Sequence, residues 1–382
     1  MHILICNAGS TSLKFKLYAY PGAEVLAVGR QERIGSRDFS SYSFHIPGGE
    51  TYREERCATL TYESGIKRFL KDLERQPNMG RIDAVGFKAT IAKGYPGVHI
   101  IDEDVIRGME EELAIAPVHN RVYIDAIRAF QKVMPEAVLV SSFETGFHQT
   151  LPKHRRIYSV PYEWYTDYGV ERKGYHGASH AYVAEKLSGY RRVISCHLGG
   201  SGSVCAIMEG KSTDTSFGLS LQAGLTHVNR CGDIDPFIMP YLLRKGVPYE
   251  EILKGLNENG GLGGISGLSG DMRDLQEAAA KGSERARLAI DIYTTDVTRY
   301  IGAFAAEMGG IDALAFTAGI GENSPEIREA ILKPLAFMGL NLDSEANARN
   351  ETRIESGPVP IYVIPADEER VVSQKVYELL SE

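Results

Sequence analysis

Twice in this chain a short apolar strand runs into a turn of glycine and serine and then resumes as a second strand. The first copy is Ile3 to Lys14, I-L-I-C-N-A-G-S-T-S-L-K, with the apolar alternation returning at Phe15, Leu17 and Tyr18. The second is Val193-Ile194-Ser195-Cys196-His197, then Leu198-Gly199-Gly200-Ser201-Gly202-Ser203 and a strand through Val204, Ala206 and Ile207. Alternation on both sides of each turn predicts a hairpin, not a P-loop opening a helix. A single hairpin of this kind reads equally well as an ordinary turn. Two of them, about half a chain apart, point to a duplicated fold. In the first turn Gly9 lets backbone N–H groups approach an anion, Asn7, Ser10 and Ser12 add polar groups, and Lys14 adds positive charge, so the device suits a polyphosphate.

The 382 residues suggest two or three domains, and 43% hydrophobic composition is enough for a sizeable core. Strand-like and helix-like segments alternate, which favours α/β layers. A formal net charge of -8 opposes general affinity for nucleic acid or anionic membranes. The five cysteines have no C-x-x-C spacing, which argues against a disulfide framework or a zinc site and fits a reducing cytosol. Neither a leader sequence nor a membrane span is expected, so the expected location is the cytoplasm.

Further along, Tyr123, Ile127, Phe130 and Met134 fall at helical spacing after Asn120, read as the N-cap, which puts His119 at a helix N-terminus where an anion is favoured. Ala137 to Val140 reads as a buried strand delivering Glu144 into a loop. Val297, Ile301, Phe304 and Met308 form another helical stripe, ended by Gly309-Gly310. Leu314-Ala315-Phe316 leads into Thr317-Ala318-Gly319-Ile320-Gly321-Glu322-Asn323, read as a glycine turn, then a helix with Ser324 as N-cap and Pro325 at its first position. After the strand Ile361 to Ile364, Asp367-Glu368-Glu369 opens the last helix, where the acids either complement the helix dipole or reach Mg²⁺ at a phosphate site.

These residues also carry a family resemblance. N-A-G-S-T-S-L-K at Asn7, A-P-V-H-N at His119, F-H-Q-T at His148, Y-H-G-A-S-H at His176, N-R-C-G-D-I-D-P at Arg230, T-A-G-I-G-E-N-S at Gly319 and D-E-E at Glu368 follow the order seen in acetate kinases, over essentially the whole chain. The resemblance implies an α/β duplicated ribonuclease H-like (actin-like ATPase) fold, with two lobes around a nucleotide cleft, and a homodimer. The expected division is an acyl-substrate lobe over 1–152, with the helix 367–382 packed on it, and a nucleotide-binding lobe over 153–366. The implied reaction is reversible transfer of the γ-phosphoryl group of ATP, with Mg²⁺, to a short-chain carboxylate, giving an acyl phosphate and ADP. The carboxylate is already ionised, so alignment and charge stabilisation replace general base catalysis.

Carried over position by position, the resemblance makes Asn7, Lys88, His119, Glu144, His176 and Arg230 the catalytic set, with Asn7 and Glu368 at the metal. Ser10, Ser12 and Lys14 match the phosphate side. His197, Gly199 and Gly200, then Asp271, Met272 and Arg273, and finally Gly319, Ile320 and Asn323 match nucleotide contacts. Asp271 also reads as a plain N-cap and Arg273 as a solvated helix-start residue. His180 is expected to be structural support, and His148 and His197 stay outside the catalytic set. Thr90, Val118, Tyr175 and Leu221 correspond to the acyl pocket.

Three departures from the family pattern matter. Lys88, in Gly86-Phe87-Lys88-Ala89-Thr90, stands where the family has a substrate-side arginine, exchanging a planar fork for a point charge. Glu144 replaces an aspartate. Gly200 replaces the asparagine of L-G-N-G-S-S, which leaves open a pyrophosphate-linked enzyme, while the Lys88 and Glu144 changes leave open a catalytically weak nucleotide-binding sensor. The hydroxyls of Thr90 and Tyr175 in a normally apolar cup either bond to neighbouring protein groups or meet a polar substituent on a different acid.

Overall fold

The first hairpin forms where the alternation places it. In the computed structural model, which describes residues 1–36, 38–76 and 80–382, β1 (His2–Gly9) and β2 (Ser12–Ala19) pair antiparallel with Gly9 opposite Ser12. The strands β3 (Glu24–Glu32), β4 (Ser41–His45), β5 (Thr51–Glu55), β6 (Ala84–Ala89), β7 (Val98–Ile100) and β8 (Val138–Phe143) complete a sheet ordered β5-β4-β3-β2-β1-β6-β8-β7. A second sheet holds β9 (Arg192–Leu198), β10 (Gly202–Met208), β11 (Lys211–Thr215), β12 (Ala313–Thr317) and β13 (Ile361–Val363), ordered β11-β10-β9-β12-β13. The second hairpin is β9 and β10, with Leu198 opposite Gly202.

The duplication is explicit in the strand directions. β1 is antiparallel to β2 and parallel to β6, β2 is antiparallel to β3, and β6 is parallel to β8. Likewise β9 is antiparallel to β10 and parallel to β12, β10 is antiparallel to β11, and β12 is parallel to β13. Both sheets therefore contain the same five-strand motif, which in the first is extended by β4 and β5 at one edge and β7 at the other. The chain divides into two compact units, Met1–Gln149 with Asp367–Glu382, and Thr150–Ala366.

In the first unit Phe15 stacks on Phe69 at 4.6 Å and meets Phe130 edge-on, joining β2 to the helices Tyr62–Glu74 and Pro117–Val133. The helix Glu368–Ser381 lies against β1 and β6 through Val372 and Val376, both fully buried. Its close approach needs Gly86, because a Cβ there would stand 2.6 Å from Ile5 Cδ1 and 2.9 Å from Val376 Cγ2. Burial of the two valines contributes about 2 kcal/mol each. In the second unit the stripe Val297, Ile301, Phe304 and Met308 is buried along the helix Glu284–Glu307, whose C-cap is Met308.

Two local expectations are corrected. The helix expected from Asn120 starts one turn earlier, at Pro117, because proline is pre-organised for a first helical position and has no N–H to satisfy. Asn120 is not its cap: it lies inside the helix, buried, with Nδ2 donating to the carbonyls of Ile91 and Met109 at 3.0 and 2.8 Å. The glycine turn after Thr317 is a short helix, Ala318–Asn323. The fully buried Arg328 donates to the Gly321 carbonyl at 2.8 Å and to Asn347 Oδ1 at 2.7 Å, so tertiary hydrogen bonding overrides the low helix propensity of glycine.

Candidate active site

In the first unit polar groups gather at the carboxyl ends of the parallel strands β1, β6 and β8, the edge where open α/β sheets bind ligands. Asn7 comes from β1, Lys88 from β6, and Glu144 follows β8 directly, its N–H donating to the Ala89 carbonyl at 2.9 Å. Glu368 is the first residue of the last helix. Lys88 Nζ lies 2.6 Å from Glu368 Oε2 and 3.9 Å from Glu144 Oε1, with all three side chains at least 84% buried: their relative exposures are 16%, 14% and 8%. Burial alone would lower the lysine pKa, but the charges of Glu144 and Glu368 outweigh it and hold the ammonium well above the usual lysine range.

The Tyr123 hydroxyl donates to Asn7 Oδ1 at 3.2 Å and orients that amide. Lys375 adds a second, half-buried cation: desolvation lowers its pKa, and the charge of Glu144 opposes the shift. Neither residue was found from the sequence, because each occupies an ordinary position in an amphipathic helix. Lys14 is exposed on β2 directly opposite Asn7, so the two side chains share a face. Ser10 is exposed at the turn, Ser12 half-buried, and the Tyr62 hydroxyl donates to the Gly9 carbonyl at 2.7 Å, fixing the turn from below. Thr90 is buried, whereas Val118 is 62% exposed on the first helical turn next to the exposed His119.

The second unit repeats the arrangement at the carboxyl ends of β9 and β12. A cavity of about 460 Å³ is lined by Gly199 and Gly200 after β9, by Asp271, Met272 and Arg273, and by Gly319, Ile320 and Asn323. Three motifs widely separated in sequence thus share one hollow. Ser324, read from the sequence only as a helix cap, also lines it, as do Val228, Gly270 and Gln276, which carried no signal of their own. Asp271 caps the helix Met272–Ala280 and pairs with the exposed Arg273 guanidinium at 2.6 Å; hydrogen bonds from the Arg273 side chain and backbone bring its pKa down to about 2.

Beside this lie the histidines. His176 holds a left-handed backbone, φ 58°, just before the helix Gly177–Lys186, and its ring stacks on His197 at 4.0 Å. His176 Nδ1 is 2.9 Å from Ser203 Oγ, and His197 Nδ1 is 2.7 Å from Ser179 Oγ. His148 is buried in the first unit and His180 in the second.

Arg230 sits in a loop of tight backbone contacts. Gly261 must be glycine: its φ is +61°, and a Cβ there would lie 2.2 Å from the His227 carbonyl oxygen and 2.8 Å from that of Arg230. Burial brings the Arg230 pKa down to about 10, and its Nε is buried with no hydrogen-bond partner among the described residues. The guanidinium is thus desolvated, still charged at neutral pH, and short of an acceptor, which is what an anion supplies.

His227, which sequence reasoning passed over, braces this loop. Its Nδ1 accepts from the Gly202 N–H at 3.3 Å, its Nε2 donates to the Ala223 carbonyl at 3.2 Å, and its ring stacks on Phe217. Burial, helped by the Arg230 charge, brings its pKa down to about 3. The unfolded chain therefore takes up a proton near pH 6.5 that the folded chain refuses until about pH 3, and stability falls as pH drops through that window. The His227→Gln variant is expected to flatten the pH dependence of the unfolding free energy, read by urea denaturation, by up to about 1.4 kcal/mol per pH unit. Parallel profiles for wild type and variant would contradict this.

Tyr175 is 1% exposed and its hydroxyl donates to the Leu219 carbonyl at 2.8 Å, a bond to a neighbouring protein group, which is the first of the two alternatives for this hydroxyl. Leu221, nearby in sequence, is 7% exposed. Tyr175→Phe is expected to cost about 1 kcal/mol of stability and to leave the order of preference among acids unchanged; a shift of preference towards acetate would restore the substrate role.

Comparison with known proteins settles the family. The model of the acetokinase family matches residues 2–374. The chain belongs to the acetokinase family. It is 40% identical over 395 residues to the acetate kinase of Shouchella clausii, covering 99% of each chain, and 40% identical over 393 residues to that of Geobacillus kaustophilus, covering 99% of this chain and 98% of the relative. Among solved structures, a propionate kinase from Francisella tularensis superposes with a TM-score of 0.90 at 33% identity, covering 98% of both chains. Porphyromonas gingivalis acetate kinase superposes with a TM-score of 0.85 at 32% identity, covering 99% of both. This acetokinase is accordingly a carboxylate-phosphorylating kinase with the duplicated actin-like ATPase fold.

Proposed function

We propose that this acetokinase transfers the γ-phosphoryl group of ATP reversibly to a short-chain carboxylate, acetate or propionate, in the cytoplasm and as a homodimer. A carboxylate oxygen forms the new bond to phosphorus while the bond from phosphorus to the ADP oxygen breaks, giving an acyl phosphate and ADP. The observation that carries this reading is the convergence of the three nucleotide motifs on the 460 Å³ cavity of the second unit, a volume suited to a small-molecule site.

Arg230 binds the transferred group through a guanidinium whose planar fork suits three equatorial oxygens, and His176 donates to the same group. Lys14, Ser10 and Ser12 hold phosphate oxygens in the first unit, and Lys88 attracts the acid. Thr90 and Val118 shape its pocket in the first unit, and His119 lies near it. Glu368 and Asn7 offer oxygen donors only, a set that fits Mg²⁺, which takes one or two carboxylates and keeps several waters. Among the described residues no group of three or more His, Cys, Asp or Glu side chains could cage a metal alone. When bound, Mg²⁺ supplies charge neutralisation on the phosphates. Glu144 shares Lys88 with Glu368 and keeps the lysine in place.

The test is a panel of short carboxylic acids with ATP, GTP and pyrophosphate, the acyl phosphate being trapped as its hydroxamate. Hydroxamate formed with Mg·ATP and acetate or propionate is expected. Preference for pyrophosphate, or no trapped product with any acid, would overturn the proposal.

A further inference from the structure

Behind His176 runs a chain of four hydrogen-bonding side chains: Ser195 Oγ to His180 Nδ1 at 2.9 Å, His180 Nε2 to Ser203 Oγ at 2.8 Å, and Ser203 Oγ to His176 Nδ1 at 2.9 Å. Ser195, His180 and Ser203 are fully buried. We infer that Ser195, His180 and Ser203 form a polarised relay that places the proton of neutral His176 on Nε2, so that the ring presents an N–H donor away from the relay. The inference rests on the proposed function in giving that donor the transferred phosphoryl group as its target.

The direction follows from counting protons. Each serine hydroxyl has one proton to donate, and a neutral imidazole has one N–H and one acceptor nitrogen. Ser195 has His180 Nδ1 as its hydrogen-bond partner and lies in the interior of β9, its backbone groups engaged in the sheet. Were its oxygen the acceptor, its own proton would be buried without a partner, at a substantial desolvation penalty. Ser195 therefore donates to His180 Nδ1, His180 Nε2–H donates to Ser203, and Ser203 donates to His176 Nδ1. With Nδ1 accepting, the proton of His176 resides on Nε2. The opposite polarity would put the proton on Nδ1 and turn Nε2 into a lone pair, which repels phosphoryl oxygens. The left-handed backbone at His176 is consistent with a ring held in one orientation by its surroundings.

Long-range ¹H–¹⁵N spectra of the full-length protein with ¹⁵N-labelled histidine read the tautomer directly. For wild type at neutral pH, His176 is expected to show an acceptor Nδ1 and a protonated Nε2. Ser203→Ala removes the hydroxyl that fixes this state and is expected to mix the tautomers and lower kcat about tenfold, with KM for Mg·ATP within twofold. His180→Gln retains an amide donor towards Ser203 and a carbonyl acceptor towards Ser195, and is expected to recover most of the kcat lost in His180→Leu. A proton on His176 Nδ1 in wild type overturns the relay, as does a Ser203→Ala protein that keeps both tautomer and kcat. The expected tautomer with unimpaired turnover in His176→Ala supports the relay and overturns instead the assignment of His176 to the phosphoryl group.

Discussion

Arg230→Ala is expected to lower turnover at least about a hundredfold while leaving nucleotide affinity within a few fold and the folded state no less stable. A donor aimed at charge that grows in the transition state is typically worth about 3 kcal/mol, and each 1.4 kcal/mol is a factor of ten in rate. The sign of the stability change sets this residue apart from an ordinary buried group. Its Nε is buried with no hydrogen-bond partner among the described residues, so alanine there leaves no protein acceptor of that group unpaired. Single-turnover kinetics, isothermal titration with ADP and urea denaturation read the three quantities separately. Wild-type turnover in a folded Arg230→Ala protein would sink the assignment.

The second large effect falls on stability. Lys88→Met removes the ammonium from between Glu144 and Glu368, whose side chains are only 8% and 14% exposed. Breaking a buried ion pair from one side typically destabilises by about 3 kcal/mol, because the remaining charge stays desolvated. A comparable loss in urea denaturation at pH 7 is expected, and Lys88→Met combined with Glu368→Gln should regain part of it. Lys88→Arg keeps the charge and should stay much closer to wild type. In kinetics, Lys88→Ala is expected to raise KM for the acid more than for Mg·ATP. An unchanged urea midpoint in Lys88→Met would show that the ion pair contributes nothing, and equal KM effects would assign Lys88 to structure alone.

What could be read from the chain and what could not divides by the range of the interaction. The two hairpins, the strand before Glu144, the helix ending at Gly309-Gly310 and the proline start of the helix at Pro325 all follow from local period and capping chemistry, and all form. The start of the helix at Pro117 was missed because Asn120 looks like a cap while its amide is engaged with two distant carbonyls. The helix Ala318–Asn323 was missed because Arg328, the side chain that binds the Gly321 carbonyl, lies beyond it in a separate helix.

The candidate site shows the same division. Motif order assigned Lys88 and Glu368 individually, but nothing local announces that residues 280 positions apart form an ion pair. His180 was expected to be support, and it lies on the helix that begins directly after His176. Their common partner Ser203 comes from another strand, so the relay emerges only once β10 is paired with β9. Tyr175 is the reverse case, where a polar group in an expected apolar pocket left two alternatives open and its partner, the Leu219 carbonyl, lies 44 residues away in sequence.

The return of Asp367–Glu382 to the unit formed by Met1–Gln149 has a bearing on biosynthesis. Strand β6 acquires the valines that cover Gly86, and Lys88 acquires Glu368, from a segment that a ribosome adds after the whole of Thr150–Ala366. During translation the first unit is a nascent sheet with an uncovered apolar face and a lysine that has Glu144 but not yet Glu368. Its closure waits for that segment, and a chain halted before Asp367 would present that face to chaperones and proteases.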